Sequence, residues 1–434
     1  MRILFISGEL IGSALCLRFL REGHDVKLYI DDKARKNCLE GIVPKTDDWK
    51  KELSWVGKDG LIVFDDVGYG DIQDGLRKQG YAVFGGSAEA DKLELNRSYA
   101  QSILHKYRMK VLPSFNFKSV DAAIDFLLEN GGKWVVKQHS HISVLNHVGE
   151  KDDSTDVIEV LKTYKEKGIT QVHLQKKAVG VEVGVARYFN GHEWVGPIEI
   201  NHEHKRLYEG DTGPLTAEMG TVMWHTDDEN NPLFARTLNL ITPHLQKIAY
   251  KGDIDLNCIV TDTDIWPLEL TPRLGSPAIQ LHCELYDSSM AEFINAVARG
   301  EKHDLIYRKH FGIVNSIATG SFPYPPDEVN RLEWDIEPAF QINTDELEDR
   351  DLESIHLEEI SKRIKEDNKE EMYWAGQYGY AAYVTASAES ILEAKQKVEK
   401  LRSAITLENM KYRTDVGDRV HEYDIPKLKE LGLI

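Results

Sequence analysis

Residues 252–277, GDIDLNCIVTDTDIWPLELTPRLGSP, contain two apolar runs separated by a short polar turn. The runs cover residues 256–260 and 265–270, and the four residues between them have the composition of a tight turn. The second run alternates, so that Glu269 lies on the opposite face from its apolar neighbours. The pattern predicts a β-hairpin that carries a carboxylate within an otherwise apolar strand.

The carboxylate of Glu269 is costly to bury unless a metal ion or a cationic side chain compensates its charge. Thr271 falls on the same face, Arg273 follows two residues later, and Asn257 comes from the facing strand. One carboxylate with neutral oxygen donors suits a hard divalent cation such as Mg²⁺. The alternative interpretation is a surface hairpin on which Glu269 is solvated.

The composition describes a globular, acidic protein. The 434 residues are enough for two to four domains, and 41% are hydrophobic and 29% charged. A formal net charge of −19 opposes binding to nucleic acid and to anionic membranes. No apolar run approaches the ~20 residues of a membrane span, and the first residues lack a secretory pattern. The four cysteines are scattered without a C-x-x-C pair, so we expect neither a zinc site nor disulfides, and a cytoplasmic location.

The first ~95 residues alternate between apolar strands and amphipathic helices, which predicts a small open α/β domain. An acidic pair follows the second strand, as in dinucleotide-binding folds. The intervening loop has only Gly8 and Gly12, in a G-x-x-x-G spacing that does not match the dinucleotide pattern. Nicotinamide binding is therefore the minority interpretation.

Downstream, residues 133–138 predict a strand that presents Lys137 beside apolar neighbours. Residues 119–130 predict a helix with Ser119 at its N-cap. Residues 208–221 are rich in Gly, Thr and Pro and predict a loop. The acidic stretch 344–371 predicts a solvated helix or loop.

Two histidine pairs have an i,i+2 spacing that places both side chains on one face of a strand. These pairs are His139 with His141 and His202 with His204. Such pairs are able to bind zinc, but no third ligand is obvious, so the ordinary interpretation is surface or polar positions.

Several segments together resemble the phosphoribosylamine–glycine ligase family of ATP-grasp enzymes. The segments, quoted in chain order, are YAVFGGSAEADKLELNRSYAQSIL, KWVVK, HEHKRLYEGDTGPLTAEMGT, LELTPRLGSP, GYAAYVTASAESILEAKQKVEKL and YRTDVGDRV. They span nearly the whole chain, and HKR followed by DTGP and MG is the most specific piece.

The resemblance implies a fold of both α/β and α+β type in three parts. An N-terminal open α/β domain (pre-ATP-grasp) would cover residues 1–95. An ATP-grasp domain would cover 96–305, with a lid subdomain at about 112–178. A C-terminal α+β domain would cover 306–434.

The resemblance also implies an ATP-dependent carboxylate–amine ligase that works through an acyl phosphate, in purine biosynthesis or a related nucleotide pathway. ATP and Mg²⁺ (or Mn²⁺) would be the cofactors. An amino acid and an amine such as phosphoribosylamine would be the substrates of a monomer or homodimer. The implied nucleotide-binding residues are Arg97, Lys137, Gln175, Lys176, Lys177 and Glu182, with residues 174–177 as a hinge strand whose backbone reads adenine. The implied metal ligands are Glu269, Thr271 and Asn257, the implied catalytic residues Arg273 and Asp211, and the implied substrate-binding residues Asp211, Thr212, Gly213 and Arg273.

The chain departs from the family pattern at several positions. The segment 138–149 has no glycine before Gly149, although backbone amides that cradle phosphate favour glycine. Arg97 replaces a lysine, and Thr271 replaces an asparagine. The second hypothesis is accordingly a weakened ATP-grasp homologue that binds a nucleotide or phosphosugar without ligase activity.

Overall fold

A computed structural model describes residues 1–137, 146–323 and 337–434 of the chain. The predicted phosphate segment 138–149 therefore lies largely outside the described residues, as do His139 and His141. Within the described ranges, no helix combines the length and apolar character needed to cross a membrane.

The N-terminal part is a four-stranded parallel sheet with helices between its strands, in the order β2-β1-β3-β4. The strand β1 is buried at every position after its first, because helices cover the sheet. The prediction of an open α/β domain at the N-terminus is confirmed. Its elements are β1 (Arg2–Ser7), α1 (Ser13–Arg21), β2 (Asp25–Ile30), α2 (Leu53–Val56), β3 (Leu61–Phe64), α3 (Gly70–Lys78), β4 (Ala82–Phe84) and α4 (Ala88–Leu95).

A second four-stranded sheet, the lid sheet, has the order β5-β8-β6-β7 with antiparallel pairing. The hydroxyl of Ser119 accepts a hydrogen bond from the backbone N–H of Ala122, which confirms Ser119 as an N-cap. The elements of this region are α5 (Arg97–Lys106), β5 (Ser114–Phe117), α6 (Val120–Asn130), β6 (Trp134–Lys137), β7 (His147–Val148), α7 (Thr155–Glu166) and β8 (Val172–Lys176).

The next segment supplies most strands of the large sheet. The predicted hairpin is confirmed as β14 and β15, and a small hairpin, β11 and β12, projects from the sheet region. The elements are β9 (Val181–Asn190), β10 (Trp194–Glu203), β11 (Arg206–Tyr208), β12 (Thr212–Leu215), β13 (Gly220–Thr226), α8 (Pro232–Arg236), α9 (Thr242–Lys247), β14 (Lys251–Val260), β15 (Ile265–Thr271), α10 (Ala278–Leu285), α11 (Met290–Arg299) and β16 (Phe311–Ala318).

Alternation along the strands gives the large sheet one apolar and one polar face. On β9, Val183 and Val185 are fully buried in a core that includes residues of α8 and α9. On the other face of β9, Glu182 and Ala186 line a cavity. The neighbouring strands β10 and β14 alternate in the same way. This polar face is the floor of the candidate site.

The C-terminal part adds strands to the large sheet and builds one further small sheet. The large sheet has the order β15-β14-β9-β10-β13-β16-β21-β18, so it runs across the expected boundary at residue 305. The small sheet has the order β19-β20-β17-β22. The elements are β17 (Ala339–Ile342), α12 (Asp349–Glu353), β18 (Ile355–Leu357), β19 (Ile360–Ile364), β20 (Glu370–Trp374), β21 (Tyr380–Ala388), α13 (Ile391–Ser403), β22 (Ile405–Thr406) and α14 (Ile425–Glu430).

Two local predictions were wrong. The stretch 344–371 is not simply a solvated helix or loop, because it contains β18, β19 and the start of β20. Ile355 and Ile360 are buried there despite the charged residues around them. The stretch 208–221 contains β12 and the start of β13 rather than an uninterrupted loop.

Candidate active site

A cavity of about 790 Å³ lies between the lid sheet and the polar face of the large sheet. The lid sheet contributes Val135 and Lys137, and the segment after β8 contributes residues 177–180. The large sheet contributes acidic and amide side chains from β9, β10, β14 and β15. Ten of the thirteen site residues expected from the sequence line this cavity, namely Arg97, Lys137, Gln175, Lys176, Lys177, Glu182, Asn257, Glu269, Thr271 and Arg273.

The cationic side chains Arg97 and Lys137 meet in the cavity. Burial and the charge of Arg97 lower the pKa of Lys137 to about 8, while Glu269 opposes the shift. Burial likewise lowers the pKa of Arg97. The Nη1 atom of Arg97 is buried and has no hydrogen-bond partner within the described chain. A buried, unpaired donor next to a second cation is suited to an anionic ligand.

Lys205 lies opposite them, at the end of β10, among three carboxylates. Its Nζ atom is 2.8 Å from Glu203, 3.1 Å from Glu182 and 3.6 Å from Glu269. Lys205 is the largest cause of the low pKa of Glu269, about 2, and Lys137 and Arg97 add to it. Glu269 is therefore ionised throughout the physiological range.

The surroundings of Glu269 contain the neutral oxygen donors expected for a hard cation. Asn257 lies opposite Glu269 in the β14–β15 register, and its buried Oδ1 has no hydrogen-bond partner within the described residues. Thr271 lies opposite Asp255, two residues along the same strand pair. This donor set fits Mg²⁺, which prefers oxygen ligands and retains some water molecules.

The end of β8 and the segment that follows it border the cavity. The N–H of Lys176 donates to the carbonyl of Pro113, and the N–H of Lys177 donates to the carbonyl of Lys133. The Lys177 ammonium pairs with Glu150 at 2.5 Å. Both amides are thus used within the protein, so a ligand here would meet the strand through other backbone groups, such as its carbonyls.

Arg273 reaches the cavity at the junction with the N-terminal domain. Its guanidinium donates to Glu94, with Nη2 at 3.1 Å, and lies 3.5 Å from Asp66. These carboxylates raise its pKa despite burial. Arg273 is thus paired with carboxylates from two segments of the N-terminal region.

Asp211, Thr212 and Gly213 are not brought to the lining of this cavity. They are exposed on the β11–β12 hairpin, where Asp211 accepts a hydrogen bond of 2.9 Å from Arg413. From the same motif, residues 215–218 do line the cavity.

The N-terminal glycine loop is occupied by a carboxylate of the protein itself. The N–H groups of Gly8 and Gly12 donate to Asp65, at 3.2 and 2.8 Å, and the Ser7 hydroxyl donates to it at 2.6 Å. Amides that bind pyrophosphate in dinucleotide folds have to be free for the ligand. This arrangement argues against the nicotinamide interpretation.

The second histidine pair takes part in packing and hydrogen bonding. His202 stacks on Trp224 with 5.6 Å between ring centroids, and His204 Nε2 accepts a hydrogen bond from the N–H of Gly417. Burial lowers the pKa of both imidazoles, to about 3 and about 4 respectively.

The sequence reasoning missed the central role of Lys205. The residue stands in the HKR segment that carried the resemblance, but it was given no function. Its partners Glu182, Glu203 and Glu269 come from three different strands, so no local pattern indicates this contact. Only the family motif that contains Lys205 pointed to the residue.

Comparison with known proteins finds relatives in sequence and in fold. Residues 95–261 match the family model described as phosphoribosylglycinamide synthetase, ATP-grasp (A) domain. The phosphoribosylamine–glycine ligase of Helicobacter pylori strain J99 is 24% identical over 359 residues, covering 80% of this chain and 78% of that protein. The enzyme of the same name from Fusobacterium nucleatum is 23% identical over 412 residues, covering 89% and 90%.

The solved structures that are similar support the same fold. The crystal structure of phosphoribosylamine–glycine ligase from Thermotoga maritima gives a TM-score of 0.67 at 17% identity, covering 96% of this chain and 100% of that one. Biotin carboxylase from Campylobacter jejuni gives 0.58 at 12% identity, covering 94% and 92%. Residues 95–261 thus match an ATP-grasp domain, and the chain as a whole is similar to the phosphoribosylamine–glycine ligases in sequence and in fold.

Proposed function

We propose that this chain is an ATP-dependent carboxylate–amine ligase that forms an amide, with an amino acid such as glycine and an amine such as phosphoribosylamine as its substrates. The observation that carries the proposal is the convergence of Arg97, Lys137 and Lys205 on the ionised Glu269 in one cavity. Cations that face a potential metal ligand across a cleft are the arrangement that phosphoryl transfer needs.

The nucleotide phosphates would lie between the lid sheet and Glu269. Lys137 would contact them from β6, and the unpaired Nη1 of Arg97 would donate to a phosphate oxygen. Glu182 would accept from the ribose hydroxyls, in competition with its present contact to Lys205. The base would lie against apolar side chains of the cavity, which include Leu112, Val135 and Ile259.

Glu269, Asn257 and Thr271 would hold Mg²⁺, with Mn²⁺ as the alternative ion. The ion, when bound, would neutralise charge on the phosphates. The residues of the chain orient it: Glu269 supplies the charge, and the buried Oδ1 of Asn257 supplies a neutral donor.

In the first step, a carboxylate oxygen of the acid would attack the γ-phosphorus, breaking its bond to the bridging oxygen and giving ADP and an acyl phosphate. In the second, the amine nitrogen would attack the acyl carbon, releasing phosphate and a proton as the amide forms. Arg273, fixed by Glu94 and Asp66, would stabilise charge on the transferring group. No nucleophile of the protein is needed.

A product screen tests this function directly. The full chain is incubated with ATP, Mg²⁺, a panel of amino acids, and phosphoribosylamine generated in place, while ADP and amide products are followed by mass spectrometry. We expect ADP formation that depends on both an acid and an amine. Nucleotide binding without ADP formation under any condition would instead support the hypothesis of a binding protein.

The metal assignment is tested with Glu269→Gln, which keeps the side-chain shape but removes the charge. We expect ADP formation to fall on the order of 10²-fold or more, as for removal of a group that stabilises transition-state charge. Glu193→Gln is the matched control, because Glu193 is an exposed glutamate that pairs with Lys302 at 2.7 Å and does not line the cavity.

A further inference from the structure

A second group of potential ligands lies on the floor of the cavity, away from Glu269. Glu199 on β10 and His225 on β13 are opposite each other in the sheet register. His282 comes from α10, whose buried apolar residues share a core with this part of the sheet. Glu199 Oε2 is 2.5 Å from His282 Nε2 and 4.0 Å from His225 Nε2. All three residues are buried.

The three donors converge. One ligand atom from each residue lies within 4.8 Å of the others. Among the described residues, no other group of three or more His, Cys, Asp or Glu side chains meets this distance. Two imidazoles and one carboxylate are a donor set of catalytic zinc sites, in which the fourth position is open.

Neighbouring polar groups contact all three of these donors, and the Tyr286 hydroxyl lies 2.9 Å from His225 Nε2. The His282 Nδ1 atom lies 2.6 Å from the Tyr188 hydroxyl, which leaves Nε2 directed at Glu199. Asn201 donates to Glu199 Oε1 at 2.7 Å, so Oε2 remains for another partner. Ligand histidines and carboxylates in metal sites are typically oriented by such contacts.

The surroundings favour added positive charge. Asp253 and Asp255 lie on β14, which β9 separates from the strand of Glu199, and within the described chain no Lys, Arg or His nitrogen lies within 4.0 Å of either carboxylate. Asp253 is 96% buried, lines the cavity, and its Oδ1 has no hydrogen-bond partner among the described residues. Buried carboxylates without a partner cation are costly, and a bound divalent ion would offset that cost.

The open side of the group faces the cavity. Glu199 and Asp253 line it, whereas His225 and His282 lie behind them. Three strand spacings, roughly 15 Å, separate Glu199 from Glu269, and two, roughly 10 Å, separate it from Asn257. The two positions are therefore separate.

We propose that Glu199, His225 and His282 form a binding site for a borderline divalent transition metal of the Zn²⁺ class, distinct from the Mg²⁺ position and with its open coordination position toward the cavity. The choice of Zn²⁺ follows from the imidazole donors, since Mg²⁺ favours oxygen. The proposal does not depend on ligase activity, because it concerns equilibrium binding of the metal.

The test uses the full chain without a histidine tag, in millimolar Mg²⁺ so that hard-cation ligands are occupied. Co²⁺ is titrated first as a spectroscopic probe, and Zn²⁺ is then added to displace it. We expect one Co²⁺ per chain, with the visible absorption of a four- or five-coordinate site that includes nitrogen ligands, and displacement by one equivalent of Zn²⁺.

Glu199→Gln, His225→Gln and His282→Gln are each expected to weaken Zn²⁺ binding at least tenfold. His356→Gln is the matched control, because His356 is equally buried but bonds only to Thr385 in another part of the sheet. Absence of stoichiometric Co²⁺ uptake by the wild type would overturn the proposal without any variant, and would leave the group as a hydrogen-bonded ion pair. Unchanged affinity in all three folded variants would overturn it as well.

Discussion

The ammonium nitrogen of Lys205 lies 3.6 Å from the nearer carboxylate oxygen of Glu269. The same nitrogen contacts Glu182 and Glu203, so one cation compensates three carboxylates. These carboxylates raise the pKa of Lys205 although burial opposes its charge. In the free protein, Lys205 therefore compensates part of the negative charge of Glu269 that Mg²⁺ would compensate when nucleotide binds.

Lys205→Met should change two affinities in opposite directions. Binding of Mn²⁺ without nucleotide should tighten, because no ammonium competes for Glu269. Binding of ATP should weaken on the order of tenfold to a hundredfold, because a cation that faces the phosphates is lost. Titration calorimetry with Mn²⁺ alone, and then with ATP, measures both.

Lys205→Arg is the control for this change, since it keeps the charge. It should show much smaller changes in both affinities. If the affinities of the Met variant for Mn²⁺ and for ATP both fall, Lys205 supports the metal ligands structurally instead of competing with the metal for Glu269.

The pH dependence of ATP binding should report the state of Lys137. Its pKa of about 8 means that it is charged below that pH and increasingly neutral above it. Phosphate groups favour the charged form, so ATP affinity should be constant below about pH 7 and fall above pH 8, by up to about tenfold per pH unit. Fluorescence titrations with ATP between pH 6.5 and 9.5 measure the profile.

Lys137→Arg separates Lys137 from other groups that titrate in this range. A guanidinium stays protonated throughout, so the alkaline fall in affinity should disappear even if the overall affinity is lower. An identical fall in the arginine variant would assign the titration to another group.

Much of the local structure could be predicted from the chain, because it depends on short-range patterns. The hairpin of residues 252–277 and the cap at Ser119 follow from alternation and side-chain chemistry. The prediction for the stretch 344–371 was wrong because its charged residues mask the alternation that buries Ile355 and Ile360.

The site was only partly predictable, because its geometry depends on pairings between distant segments. Lys137 and Glu269 were expected from the family resemblance, and the structure brings them into one cavity. No local pattern joins Glu199 to His225 and His282, because strand register and helix packing create that contact. Residues distant in the chain become neighbours only through the fold.

We expect the Arg97 guanidinium to strengthen ATP binding while lowering the stability of the free protein. Its buried Nη1 has no hydrogen-bond partner within the described chain, so the guanidinium is incompletely compensated in the free protein. Arg97→Met should lower ATP affinity about tenfold or more while leaving the free energy of unfolding unchanged or slightly higher. Thermal unfolding with and without ATP measures both effects.

Arg97→Lys is the matched variant, because it keeps the charge but loses the planar donor geometry. We expect it to have an intermediate ATP affinity. A fall in the stability of the free Arg97→Met protein would show that the guanidinium supports the fold instead.

Gly184 is expected to be a position where a single methyl group disturbs the cavity floor. A Cβ at residue 184 would overlap Asn201 Oδ1, and the Asn201 amide donates to Glu199 and to Asp255, at 2.7 and 2.8 Å. Gly184→Ala should therefore displace that amide and lower the free energy of unfolding by about 1–3 kcal/mol. Gly75→Ala is the control of opposite sign: Gly75 lies inside α3, with no atom within 4 Å of an added Cβ, so alanine should stabilise the helix by about 0.5–1 kcal/mol. Urea unfolding of both variants decides the matter, and a Gly184→Ala protein as stable as the wild type would mean that the Asn201 bridge adjusts without loss.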